Sequence, residues 1–123
     1  MQILGHDLIA YKPLHSVSSI EEISQSPEEN TLLFEYKPEL IKYAKNHNKS
    51  FALHIFNQEE AIIGNGSGAK ILICPLKIAQ KVQEIAEYYL FDAKVAILIN
   101  SEEEISLAIA KKVDMAILPD AII

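Results

Sequence analysis

The sequence predicts an α/β fold built on a mostly parallel sheet, and three observations carry that prediction. Between Lys70 and Pro119, short apolar runs alternate with amphipathic helical segments, leaving few residues for connections. The runs Ile71-Leu72-Ile73-Cys74 and Val95 to Ile99 are apolar throughout, as in strands buried on both faces. The strand centres fall near positions 33, 54, 72, 97 and 116, which leaves room for a crossover helix between neighbours.

Residues 1–30 read as an irregular edge segment. Ile3-Leu4 and Leu8-Ile9-Ala10-Tyr11 are candidate short strands, forming an N-terminal edge strand or hairpin broken by Gly5 and stopped by Pro13. Ser18-Ser19-Ile20-Glu21-Glu22 carries a capping-box pattern and predicts a short helix over 20–25, ended by Ser26-Pro27. Residues 31–119 then repeat strand and helix. Thr31 to Glu35 is a strand, and Pro38 opens a helix whose apolar stripe is Leu40, Ile41 and Ala44. Phe51 to Phe56 is the next strand. A short helix over 58–63 leads into Gly64-Asn65-Gly66-Ser67-Gly68, read as a helix C-cap plus turn. Leu76 to Leu90 is a long helix with Ile78, Ala79, Val82, Ile85, Ala86 and Tyr89 on one face. Ser101 and Glu104 make a second capping box on a helix over 102–112, and Met115 to Leu118 is the last strand.

These elements predict one domain over residues 1–123: a three-layer sandwich with four to six strands and helices on both faces, flavodoxin-like or Rossmann-like. Half of a β/α barrel completed by dimerisation is the second architecture, because the units are too few to close an eightfold barrel. Ala121-Ile122-Ile123 follows the last strand with no covering helix. It is expected to extend that strand across the core or to meet a second subunit, and a homodimer is expected on that ground.

Half of the residues are hydrophobic, so the chain has the material for a core. A single cysteine, Cys74, precludes an intrachain disulfide. The N-terminus has neither the basic region nor the apolar stretch of a signal peptide, and no window reaches the roughly 20 apolar residues of a membrane span. A cytoplasmic, soluble protein with no membrane association is expected. The net charge is −6, and all 11 basic residues are lysines. Without arginine the chain lacks the planar fork that grips phosphates and guanine edges, so no nucleic-acid partner is expected.

In open α/β sheets ligands bind at the carboxyl ends of the strands. That rule selects Glu35, Asn57, Cys74, Asn100, Ser101 and Asp120 as candidate ligand-binding residues. Cys74 precedes Pro75 at a helix start, where the dipole favours a thiolate, and His54 on the preceding strand is its candidate base. Cysteine is also a common small buried hydrophobe, and that structural role is the expected one. The glycine-rich segment follows a helix and leads into a strand, the reverse of a phosphate loop. Glu102-Glu103-Glu104 reads as a dipole-stabilised helix start. His6, His15, His47 and His54 have no metal-ligand spacing, and no metal or cofactor is expected. A receiver-type phosphoacceptor domain shares only the strand–helix rhythm. Cys74-Pro75 and Leu118-Pro119 stand where its acceptor aspartate and lysine would be needed.

The resulting expectation is a non-enzymatic protein-interaction or self-association module. A small-molecule binding or sensing domain at the strand ends is the alternative, followed by an enzyme using Cys74.

Overall fold

The computed structural model describes residues 1–123. Seven strands form one all-parallel sheet: β1 (Gln2–Leu4), β2 (Leu14–Ser16), β3 (Thr31–Glu35), β4 (Ser50–His54), β5 (Ile71–Ile73), β6 (Lys94–Leu98) and β7 (Met115–Ile117). Five α-helices accompany them: α1 (Ile20–Gln25), α2 (Pro38–Asn46), α3 (Gln58–Gly66), α4 (Leu76–Tyr88) and α5 (Ile105–Lys111). The strand order is β1-β7-β6-β5-β4-β3-β2, so β2 to β7 lie side by side in chain order. No helix is long and apolar enough to cross a membrane.

The α/β class and the parallel sheet agree with the sequence reading; the strand count and the layering differ. There are seven strands rather than four to six, because β2 was hidden. Leu14-His15-Ser16 follows Pro13 and has a single apolar residue, so no pattern marks it. Leu8 to Tyr11, read as a strand, is instead a turn and extended loop, with Leu8 fully out in solvent. β1 is an edge strand as expected, but β1 and β2 lie at opposite edges and form no hairpin.

The three-layer sandwich gives way to two layers around a curled sheet. Right-handed crossovers that advance always in one direction place every helix on the same face. A doubly wound sandwich needs an interior reversal of strand order, and none occurs between β2 and β7. The side chains divide accordingly. Leu32, Phe34, Phe51, Leu53, Leu72, Val95, Ile97 and Ala116 pack with helix residues such as Ile23, Leu40, Ala61, Val82 and Ala108. The alternate residues Leu14, Leu33, Ala52, Ile71, Ile73, Ala96, Met115 and Ile117 pack among themselves and with Leu4, Ala121 and Ile122, inside the curl.

The C-terminal residues close the curl. After β7, a 3-10 turn over Pro119–Ala121 carries the chain across to β2. Ile122 bridges Leu14, the Ile123 N–H donates to the Leu14 carbonyl at 2.9 Å, and the Ser16 N–H donates to the Ile123 carbonyl at 2.8 Å. Ala121 is buried and Ile122 packs inside the curl, so the chain end extends across the core as one of the two expectations had it, while the Ile123 side chain stays 62 % exposed.

Helix ends differ from expectation in instructive ways. α3 continues through both Gly64 and Gly66, and the expected C-cap and turn fall at Ser67 and Gly68, whose φ is +101°. Gly64 is there for closeness: a Cβ would stand 2.9 Å from Leu72 Cδ2 and 3.2 Å from Leu53 Cδ1. The Ser19–Glu22 box forms, with the Glu22 N–H donating to Ser19 Oγ and Glu22 accepting from the Ser18 N–H at 2.9 Å. At the last helix, Ser101 makes no side-chain cap. Glu104 instead accepts from the Asn100 N–H at 2.7 Å, and a 3-10 turn precedes α5.

Gly5 makes the tightest turn at the end of β1. Its φ is +97°, and a Cβ would lie 3.0 Å from Leu118 Cβ and 3.1 Å from the Ala121 nitrogen. Gly5→Ala combines left-handed strain with a backbone clash and is expected to cost about 2 kcal/mol. Urea denaturation checks this; unchanged stability would show that β1 and the C-terminal turn can separate freely.

Candidate functional site

The carboxyl ends of the strands gather at one rim of the curl, as in barrels that carry their chemistry there. Three shallow depressions run along it. The first, of about 360 Å³, is lined by Ser16, Val17 and Ser18 after β2, by Glu35 and Lys37 at the end of β3, and by His54. The second, of about 250 Å³, is lined by His54, Ile55, Phe56, Ile73, Cys74, Pro75, Leu76, Ile97 and Leu98. The third, of about 200 Å³, runs from Leu98 and Asn100 to Ile117, Pro119 and Ile122. His54 joins the first two and Leu98 the last two.

Register explains why Glu35 and His54 meet. They are direct partners across β3 and β4, and His54 is in turn partnered with Ile73 of β5. Registered residues of parallel strands share a face, so both follow Leu33 and Ala52 onto the concave side. Neither makes a side-chain hydrogen bond. Burial lowers the His54 pKa, and the nearby Glu35 carboxylate partly offsets this. His54 is therefore a neutral, half-buried imidazole at neutral pH.

Cys74 borders the same depression but is turned the other way. It continues Leu72 onto the helix side of β5 and belongs to the core there, at 4 % exposure. Its Sγ lies 3.6 Å from the Ala96 carbonyl. Burial pushes the thiol up to about 12, outweighing what the start of α4 offers a thiolate. Cys74 and His54 thus sit on opposite faces, and no nucleophile–base pair is assembled.

The remaining candidates scatter. Asn57 caps α3, its Oδ1 accepting from the Glu60 N–H at 2.8 Å, while Glu60 accepts from the Phe56 N–H at 2.8 Å. Asn100 lines the third depression. Ser101 opens the 3-10 turn before α5, and Asp120 is exposed in the turn after β7; both flank that depression without lining it. Of the six ligand candidates, only Glu35 and Cys74 share depressions with His54. No group of three His, Cys, Asp or Glu side chains converges closely enough to hold a metal ion.

Ser16 and Ser18 supply polar groups beside Glu35 and were missed because β2 was missed; Lys37, which closes the strand-end run Glu35-Tyr36-Lys37, lies beside them. Ser18 is already committed, its hydroxyl donating to Glu22 at 2.8 Å. Also unanticipated are Phe56, Leu76 and Leu98, large apolar side chains at 60 %, 40 % and 49 % exposure around the second depression. For Leu98 a signal existed: it follows Ala96 by two residues and so must face the concave side, beyond the packed interior. At the same end, His6 Nε2 lies 2.6 Å from Glu102. His6 Nδ1 accepts from the Leu8 N–H at 3.1 Å, so Nε2 carries the proton and donates.

Two expectations follow from the burial of Cys74 and His54. Cys74 should label with a neutral disulfide reagent only as fast as the fold opens, so adding urea below the transition should accelerate it steeply. Rapid labelling in buffer would overturn the buried assignment. For His54 the folded pKa lies below the ordinary value of 6.5, so the unfolded chain binds the extra proton. Stability contributed by the neutral imidazole is complete above that value and is lost as pH falls through the depressed pKa. His54→Gln should flatten the pH dependence of the urea midpoint in this window, and an unaltered slope would sink the linkage. Compared by sequence with known proteins, the chain matches no protein-family model and no curated protein, so these residues carry the functional argument themselves.

Proposed function

We propose that the protein is a non-enzymatic module that self-associates through the rim at the strand carboxyl ends. The supporting observation is the exposure of Phe56, Leu76 and Leu98 around one depression that no charged side chain lines. Contiguous exposed apolar side chains mark interaction surfaces far more often than isolated ones do. In a chain of net charge −6, an uncharged patch is also where two copies approach with least repulsion. Leu8 and Ile9, exposed on the loop anchored by the His6–Glu102 bond, add apolar area at the same end.

Magnitudes set the strength. Burying the exposed part of each large side chain contributes roughly 1 kcal/mol, so Phe56, Leu76 and Leu98 with Leu8 and Ile9, from two copies, supply roughly 10 kcal/mol. Association costs at least about 4 kcal/mol in lost freedom, which leaves about 6 kcal/mol or less and a dimer that dissociates at tens of micromolar or above. Catalysis is disfavoured by the opposed faces of Cys74 and His54 and by the raised thiol pKa.

A second reading has its own support. The polar depression holding Glu35, Lys37 and Ser16 meets the apolar one at His54, as in pockets that take a small amphipathic molecule.

Sedimentation equilibrium from micromolar to near-millimolar protein decides between them. The expected result is a rising average mass that Phe56→Asp or Leu98→Asp returns to the monomer without lowering the melting temperature. A strict monomer throughout would overturn self-association. A carried-through small molecule in the native mass spectrum of that monomer would establish the pocket reading instead.

A further inference from the structure

The opposite rim, at the amino ends of the strands, has a different character. A depression of about 340 Å³ lies between the ends of α2 and α3 and the starts of β4 and β5, lined by Lys45, Lys49, Lys70, Asn48, Ser67 and their neighbours. No carboxylate lines it, although the chain has 17 acidic residues against 11 lysines. The chain's ion pair is His6–Glu102 at the other rim, so none of these lysines makes a close ion pair. Lys49 is held in place by donation from Nζ to the Ser26 carbonyl at 3.0 Å, which leaves two of its N–H groups free. Lys45, Lys70 and the Asn48 amide make no side-chain hydrogen bond within the protein.

Cations are also favoured where helices end, and both α2 and α3 end here. Each helix C-terminus carries about half a negative charge, so two of them offset about one of the three positive charges. Among the groups that line this open depression, about two positive charges remain.

We propose that this depression binds a phosphate group. Lysine suits phosphate as a point charge, and three ammonium groups with an amide can surround its oxygens without the planar fork that arginine would bring. The volume is at the small end of ligand sites, in keeping with a phosphate ester or pyrophosphate rather than a larger molecule. The site lies away from the apolar rim and does not rest on self-association.

The test is a titration of isotopically labelled protein with inorganic pyrophosphate, followed by amide chemical shifts. Saturable shifts confined to Asn48, Lys49, Ser50, Ser67 and Gly68 are expected, weakening as salt rises. Lys45→Gln/Lys70→Gln should lower the affinity by about tenfold or more per lysine removed. Lys45→Arg/Lys70→Arg, which keeps the charge, should retain most of the binding and guards against a loss caused by misfolding. Linear, non-saturating shifts spread over all lysines, or equal affinity in the glutamine variant, would overturn the site. Co-sedimentation with phosphatidylcholine vesicles containing phosphatidic acid assigns the source. Pelleting that the glutamine variant abolishes places the phosphate on a lipid headgroup, and pyrophosphate shifts without pelleting place it on a soluble molecule.

Discussion

The structure depends on one constraint: both faces of an all-parallel sheet must be covered, and here all five helices lie on one of them. The other face is covered by bending the sheet until it packs on itself. Small residues make the bend possible. Ala52, Ala96 and Ala121 take little room, so Leu14, Leu33, Ile71, Ile73, Met115 and Ile117 fill the interior. The chain end completes the arrangement, because its bonds to β2 tie the far edge of the sheet back to the residues after β7.

From that closure follows the asymmetry of the two rims. At the carboxyl ends the concave face runs past its packed interior, and Leu98, His54 and Glu35 emerge from it beside Phe56 and Leu76. The loops there are stiffened by carboxylates that cap helix starts. Glu22, Glu60 and Glu104 accept from the N–H groups of Ser18, Phe56 and Asn100 respectively, the same device at three of the five helices. At the amino ends the joints are polar. Buried Gln83 of α4 accepts from the Asp114 N–H at 3.0 Å and donates to its carboxylate at 3.2 Å, while that carboxylate accepts from the Val95 N–H at 2.9 Å. This network fixes a helix and two strands in register. Beside it lies a depression of about 240 Å³ lined by Gln83, Glu87, Lys94 and Asp114 among others, distinct from the lysine-lined one.

The site was legible in part. Strand ends could be read from the apolar runs, so Glu35 and His54 were within one turn of being paired; what the runs cannot give is which face a side chain takes relative to a neighbouring strand. That face separates His54 from Cys74. Asn57 was selected for its position and proves to be a helix cap, a role its spacing to Glu60 already offered. Lys37 and Ser16 became neighbours only because β2 lies beside β3, and β2 has too little apolar character to be seen.

The sequence by itself determined the α/β class, the parallel strands and most helix limits, because period, apolar runs and caps are local properties that neighbouring residues decide. Strand order, the direction of winding and the curl were decided by tertiary structure. They depend on how crossovers of one hand place the helices and on which small residues let the bare face close. The chain end shows the difference: Ala121-Ile122-Ile123 announces apolar surface, and only the curled sheet, bringing β2 within reach, shows that Ala121 and Ile122 pack there while the Ile123 side chain stays exposed.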